Sequence, residues 1–323
     1  MLMKRIENFA TYLKQKNKFF YEIGRVVYIL FKVLEQSFWK LFGKVKINTF
    51  YLEPTSICNL NCKFCTLDDS RKKGFLKKET LIKILEDIKN NKILVKEFSL
   101  HLGGESFLHP DFTEFLKIIA KYKKQVKHFP KVDALTNCML LKKELSKKIL
   151  ETDCLDMMRF SIDHGNKKKY EQARVGANWE TVLKNVNDFL DLNKSLNKNI
   201  ETNIFTILTG DDKKNYSPEF LKLTKRVTKY LPRKLHAFIG DVDLGLQFKP
   251  RNWLCHFIIK DFAVFWDGRV TACCADLNGK IIIGDLNNQS IKQIFFGKKR
   301  MNMIKTMFFR GRKKIPYCSN CSL

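Results

Sequence analysis

The chain has 323 residues, 45% hydrophobic and 29% charged, which is enough apolar surface for a real core and excludes wholesale disorder. Only 7 prolines and 15 glycines are present, so a long flexible or collagen-like segment is excluded as well. Sixty basic against 33 acidic residues leave a net charge of +27, which suits nucleic acid, an anionic membrane or simply a lysine-rich proteome. Arginines, the residues that read bases and phosphates with a bidentate fork, are a small minority among the lysines, so no nucleic-acid partner is expected.

Residues 1–47 read as a basic leader, with ten Lys/Arg against three Glu up to Lys46. Phe20, Ile23, Val27, Leu30, Leu34, Phe38 and Leu41 recur at helical spacing. Two readings stay open: a helix packed on its own domain, or an interfacial helix on anionic lipid. The N-terminus turns charged at once and no run of about 18 uncharged apolar residues follows, so a cytoplasmic location is expected, peripheral to the membrane if the leader binds lipid.

From residue 48 strands and helices alternate. Strands are expected over 48–53, 97–102, 131–135, 157–162, 201–208 and 234–239. Helices are expected over 79–90, 110–122, 142–150, 179–192 and 218–230. Repeated βα units mean a parallel sheet, doubly wound or closed into a full or partial barrel. In a barrel, chemistry sits at the C-terminal strand ends. After Gly240 helical periodicity fades and cysteines gather, giving expected units of 48–240 and 241–323.

Ten cysteines in a chain without a secretory signal point to metal or redox chemistry. Cys58-Asn-Leu-Asn-Cys62-Lys-Phe-Cys65 follows the first strand. Three thiolates can hold three irons of a cubane and leave the fourth open, whereas structural zinc wants four ligands. Leu102-Gly103-Gly104-Glu105 ends the second strand, where two glycines allow close backbone approach and a carboxylate can receive an ammonium. Arg159-Phe-Ser161-Ile-Asp163 closes the fourth strand, with Tyr170 and Arg174 beyond it. Toward the C-terminus, Cys255, Cys273, Cys318 and Cys321 offer four thiolates around a hairpin expected at Asp267-Gly268; they suit either zinc or a fully ligated cluster.

The first three motifs, in this order and on these strands, resemble the radical S-adenosylmethionine (radical SAM) superfamily, whose signature is C-x3-C-x-Φ-C with Phe64 in the aromatic place. That resemblance implies a partial (βα)6 TIM-like barrel. It also implies a [4Fe–4S] cluster on Cys58, Cys62 and Cys65, with SAM on its open iron. Gly103, Gly104, Glu105, Ser161, Asp163 and Arg174 would hold SAM, with Phe64 beside the adenine. The C-terminal cysteines resemble the SPASM/twitch extension, in its shorter twitch form, which implies one auxiliary [4Fe–4S] cluster. Cys273 is assigned as ligand by the Gly-x4-Cys count alone, so a swap with Cys274 stays open.

Four protein ligands leave no open iron, which favours electron transfer. The resemblance then implies a 5′-deoxyadenosyl radical that abstracts hydrogen, fed by a one-electron reductant such as flavodoxin or ferredoxin. The leading expectation is oxidation of an alcohol carbon in a small polar metabolite, a sugar or cyclitol. Epimerisation with Cys138 as hydrogen donor is a second reading, with a small buried hydrophobe as the plain alternative for that thiol. Peptide or protein modification is a third. A zinc-binding nucleic-acid module is the non-enzymatic rival.

Overall fold

The computed structural model describes residues 40–208, 215–236, 248–250 and 255–323, with residues 23, 24, 27, 30, 31, 33–35 and 38 of the leader. Six parallel strands form the frame: β1 (Lys46–Leu52), β2 (Leu94–Leu100), β3 (Lys131–Thr136), β4 (Met157–Ser161), β5 (Glu201–Leu208) and β6 (Lys229–Lys234). They lie side by side in chain order. Helices α1 (Lys78–Asn90), α2 (Phe112–Gln125), α3 (Lys143–Glu151), α4 (Lys167–Ala173), α5 (Trp179–Ser195) and α6 (Pro218–Arg226) fill the connections.

Strand alternation sorts the side chains. Phe50, Phe98, Val132, Ala134, Met158, Phe160 and Ile204 are all buried in the main core cluster, as are Leu81, Ile84, Leu85 and Ile88 of α1. Complete burial of such side chains contributes roughly 1.5–3 kcal/mol each. The opposite parity, facing the barrel interior, mixes apolar residues such as Ile47, Val95, Met157 and Phe205 with a polar set: Thr49, Tyr51 and Glu53 on β1 and just beyond it, Glu97 and Ser99 on β2, Asp133 on β3, Arg159 and Ser161 on β4, Asn203 on β5 and Arg233 on β6.

The C-terminal segment adds β7 (Phe262–Val264), β8 (Arg269–Thr271) and β9 (Ile282–Asp285), with short helices α7 (His256–Lys260) and α8 (Ile291–Phe295) and then α9 (Lys298–Arg310). β7 pairs in parallel with β1, Phe50 opposite Phe262, so the hairpin continues the barrel's own sheet to nine strands. Phe50 stacks between Phe98 and Phe262 at 5.2 and 5.3 Å, an aromatic seam across the joint. The turn at Asp267-Gly268 forms as expected, with Gly268 at φ +89°.

One boundary moves. The sixth strand is Lys229–Lys234, not 234–239, and α6 stops at Arg226 rather than reaching Tyr230. Thr202 and Thr228 donate backbone N–H to each other's hydroxyls at 3.0 and 3.3 Å, which pulls the chain into the sheet at that point. Pro232 is accommodated because β6 is the edge strand. Residues 237–239 lie outside the described residues.

Candidate active site

The cysteine loop is tied down on three sides. Asn61–Cys62 pairs antiparallel with Arg174–Val175, and Lys63 N donates to Ala173 O at 2.9 Å. Asn137 Nδ2, from the end of β3, donates to Asn59 Oδ1 at 2.8 Å. Cys58 and Cys65 are exposed and Cys62 is half-buried, at the C-terminal mouth of the barrel. Burial pushes the Cys62 thiol up to about 11, against the pull of the Arg174 guanidinium.

The two glycines have no room for a side chain. A Cβ at Gly104 would lie 2.2 Å from Ile57 O and one at Gly103 would lie 2.3 Å from Glu53 Oε1. Gly-Gly is therefore needed for the β2 end to pack under the segment that leads into Cys58. Glu105 is buried; its N–H donates to Ile57 O at 2.8 Å, and its carboxylate accepts from Asn137 N at 2.7 Å and Phe107 N at 3.3 Å. Desolvation pushes this carboxyl up.

Asp163 and Arg174 meet. Arg174 Nε donates to Asp163 Oδ2 at 2.7 Å, and Asp163 Oδ1 accepts from Ile207 N at 2.6 Å. The guanidinium also reaches Cys62 Sγ at 3.7 Å and lies 5.4 Å over the Phe64 ring. Burial works against the Arg174 charge, but Asp163 and Cys62 more than offset it and hold it protonated. Ser161, at the end of β4, is half-buried. Thus the structure gathers Cys58, Cys62, Cys65, Phe64, Gly103, Gly104, Glu105, Ser161, Asp163 and Arg174 at one strand-end face.

Cys138 follows β3 in the left-handed region at φ +69° and is wholly buried. Its thiol donates to Thr136 O at 3.6 Å, and Asn185 Nδ2 donates to its carbonyl at 2.8 Å. Burial pushes the thiol well above its ordinary range.

At the other end of the sheet, Cys255, Cys273, Cys318 and Cys321 line a single cavity with Ala272 and Arg312. Cys274 is not part of that lining; its thiol meets the Tyr51 hydroxyl on β1. Arg312 is buried, and its Nε has no hydrogen-bond partner among the described residues. An orphaned cationic donor beside four thiols fits an anionic thiolate-ligated cluster. No three His, Cys, Asp or Glu side chains among the described residues close to the span of a single metal ion.

Sequence reasoning missed the group between the two sites. Glu53, just past β1 and wholly buried, takes Arg71 in a two-pronged pair at 2.6 and 2.9 Å. The same carboxylate accepts from Gly103 N at 3.0 Å and from Trp266 N at 3.2 Å. Arg71 donates to Leu277 O at 2.6 Å and sits 4.2 Å over the Phe265 ring. Asn278 accepts from Asp68 N at 2.8 Å and donates to Thr66 O at 2.6 Å. The only local signal was strand parity, which aims Glu53 inward.

Comparison with known proteins decides the family. The model of the radical SAM superfamily matches residues 52–225, and that of an iron–sulfur cluster-binding domain, SPASM, matches residues 255–322. The chain belongs to the radical SAM superfamily. Its cofactors are accordingly SAM, a SAM-binding [4Fe–4S] cluster and auxiliary iron–sulfur ligation in the SPASM segment.

Among curated relatives, the enzyme is 36% identical over 123 residues to the antilisterial bacteriocin subtilosin biosynthesis protein AlbA of Bacillus subtilis (strain 168), covering 38% of this chain and 25% of AlbA. It is 28% identical over 148 residues to a probable GTP 3′,8-cyclase of Methanococcus maripaludis (strain C5 / ATCC BAA-1333), covering 46% and 47%. The enzyme thus spans a quarter to about half of these relatives.

Solved structures share the fold. BtrN in complex with AdoMet and 2-DOIA has a TM-score of 0.59 at 20% identity, over 86% of this chain and 93% of BtrN. Streptococcus suis SuiB bound to precursor peptide SuiA has 0.65 at 15%, over 88% and 72%. The enzyme anSMEcpe with bound AdoMet has 0.61 at 17%, over 85% and 88%. Among the described residues, no helix is long and apolar enough to cross a membrane.

Proposed function

We propose that the enzyme oxidises an alcohol carbon of a small polar metabolite, a sugar or cyclitol. The observation that carries this reading is the barrel interior. Arg159 Nε lies 3.2 Å from Asp133 Oδ2 and Nη2 lies 3.4 Å from Glu97 Oε2. Arg159 and Arg233 flank the Phe205 ring at 5.6 and 4.7 Å. Among the described residues, Asp133 Oδ1 and Asn203 Oδ1 are buried without hydrogen-bond partners, which is costly unless a polar ligand or water meets them. An apolar substrate would leave these groups unsatisfied; a polyol would not.

When held at the two cysteine sites, the cofactors would supply a hydrogen-abstracting radical and an acceptor for the second electron. The chain supplies the proton path. His101 Nδ1 lies 3.0 Å from Ser99 Oγ, which donates to Asp133 Oδ2 at 2.8 Å. Burial lowers His101 to about 3, so the ring is neutral at working pH and too weak a base to keep a proton; it can only relay one, taking it at Nε2 as the Nδ1 proton moves to Ser99. Burial raises Asp133 to about 6, against the pull of Arg159. His101 takes the hydroxyl proton and Ser99 passes it toward Asp133. Cys58, Cys62 and Cys65 would hold the SAM cluster, and Cys255, Cys273, Cys318 and Cys321 the one auxiliary cluster. Within the SAM pocket, Asp163 orients Arg174 against Cys62 and Phe64, and Glu105 anchors the glycine turn to Asn137. Sealed in the core, Cys138 is poorly placed to return hydrogen to a substrate, which favours oxidation over epimerisation.

The test is anaerobic turnover of the reconstituted enzyme with a panel of polyols and sugars. A carbonyl product formed one-for-one with 5′-deoxyadenosine, without solvent deuterium at the product carbon, is expected. A product of unchanged oxidation state carrying solvent deuterium would mean epimerisation. A peptide substrate is the second reading, favoured by the identity with AlbA. Turnover of a peptide, and of no polyol, would establish it and sink the first.

A further inference from the structure

The leader shows its apolar face to solvent. The described residues between 23 and 41 are helical. At 3.6 residues per turn, Ile23, Val27, Leu30, Leu34 and Leu41 fall within about 60° of arc. None is covered: Val27 is 59% exposed, Leu34 68% and Leu41 84%. Phe42, in the turn that follows, is 62% exposed. The helix touches the domain by another side. Val33 and Lys40, about 100° round from the stripe, face Ile259, Phe296, Arg300, Met301 and Ile304.

A second apolar spot lies on that neighbouring helix. Phe308, one turn beyond Ile304 on α9, and Phe309 are exposed, their rings 4.9 Å apart. Both apolar spots are set in positive charge. Residues 23–46 hold five basic residues and one acid, and residues 298–314 hold six exposed basic residues and no acid, Arg300 and Arg312 being buried. Large exposed apolar stripes are rare on proteins that face only water.

We propose that the leader helix and the end of α9 form one docking surface for an anionic lipid bilayer. The aliphatic and phenyl groups enter the headgroup boundary while the surrounding lysines and arginines meet acidic lipid. Nucleic acid would satisfy the charge but leave the aliphatic stripe exposed. A second copy of this chain could cover the stripe, but two such surfaces would bring their positive charges together, which ordinary salt only partly screens.

Flotation of the full-length enzyme with phosphatidylglycerol vesicles and with phosphatidylcholine vesicles tests this. Co-flotation with the acidic vesicles only, weakened by salt, is expected. The triple substitution Val27→Glu, Leu34→Glu and Leu41→Glu should lower partition at least about tenfold, because it puts three carboxylates into the apolar face. Reductive cleavage of SAM to 5′-deoxyadenosine should be unchanged in that variant. The milder pair Leu34→Ala and Leu41→Ala, both at exposed positions, should partition in between. Failure of the native enzyme to float with acidic vesicles overturns the proposal. So does a triple variant that floats like the native enzyme, because charge alone would then hold it. A dimer that does not float, and that the triple substitution dissociates, would assign the stripe to a second copy.

Discussion

Replacing Glu53 by glutamine should loosen both ends of the molecule at once. The carboxylate has no exposure and four donors: two nitrogens of Arg71, at 2.9 and 2.6 Å, and the backbone N–H groups of Gly103 and Trp266. Burial pushes this carboxyl up, and Arg71 and the two amides pull it back. Glutamine keeps the volume and one acceptor oxygen but strands the guanidinium, whose side chain is only 4% exposed. Removing one partner of a buried pair costs about 3–5 kcal/mol. The Phe265 ring and Leu277 O still hold Arg71, which places the expected loss near the lower end, about 3 kcal/mol. For a chain of 323 residues that is a fall in Tm of roughly 4 °C. Adding Arg71→Met removes the stranded charge, so the double variant should be more stable than Glu53→Gln alone. Thermal unfolding of all four proteins under anaerobic conditions measures the cycle. Because one oxygen must now serve where two met the Gly103 and Trp266 amides, the SAM turn should loosen and KM for SAM rise while iron content at the first cluster holds. A loss below about 1 kcal/mol, with the two substitutions additive, would refute the coupling.

Other outcomes follow from single distances. Gly104→Ala puts a methyl 2.2 Å from Ile57 O and should prevent assembly of the SAM cluster, read as about half the iron per chain after reconstitution. Cys273→Ser should lose the auxiliary cluster's iron whereas Cys274→Ser should keep it, because only Cys273 lines the cavity. Arg312→Met removes a buried positive charge beside that cavity and should lower the auxiliary midpoint potential, measured by titration with electron paramagnetic resonance detection. Asp133 is held at about 6 against an ordinary 3.8. As a proton acceptor it works only above that value, so kcat should fall as pH drops through 6 and Asp133→Asn should abolish that limb. Its contribution to stability runs the other way, present at low pH and lost as pH rises from 3.8 to about 6.

The parts of this enzyme that were legible in sequence are the parts that are local. A three-cysteine run, a Gly-Gly-Glu turn and a closing C-x2-C are each read within a few residues, and the period of two or of 3.6 separates strand from helix wherever an element has one buried face. The sixth unit failed because Leu221, Leu223, Val227 and Tyr230 continue an apolar spacing past the point where the helix ends. What stops the helix is Thr228 meeting Thr202, 26 residues away. The Glu53 node was invisible for the same reason, since its partners lie 18, 50 and 213 residues along the chain.

Strand pairing explains why that node exists. β7 runs parallel to β1 with Leu52 opposite Val264, so the next residues of each strand, Glu53 and Phe265–Trp266, emerge together at the barrel mouth. One strand end then enters the cysteine loop and the other enters the hairpin that leads to Cys273. The buried carboxylate is compensated by donors from both: Arg71 beyond Cys65, Gly103 from the SAM turn and Trp266 from the auxiliary segment. Asn278 repeats the link by bonding Thr66 and Asp68, one and three residues beyond Cys65. The two cysteine-bearing loops are therefore referenced to one sheet and one ion pair rather than joined by a free linker. A fixed spacing of that kind is what electron transfer between two clusters would need, and it leaves the polar barrel interior as the place where substrate chemistry can vary.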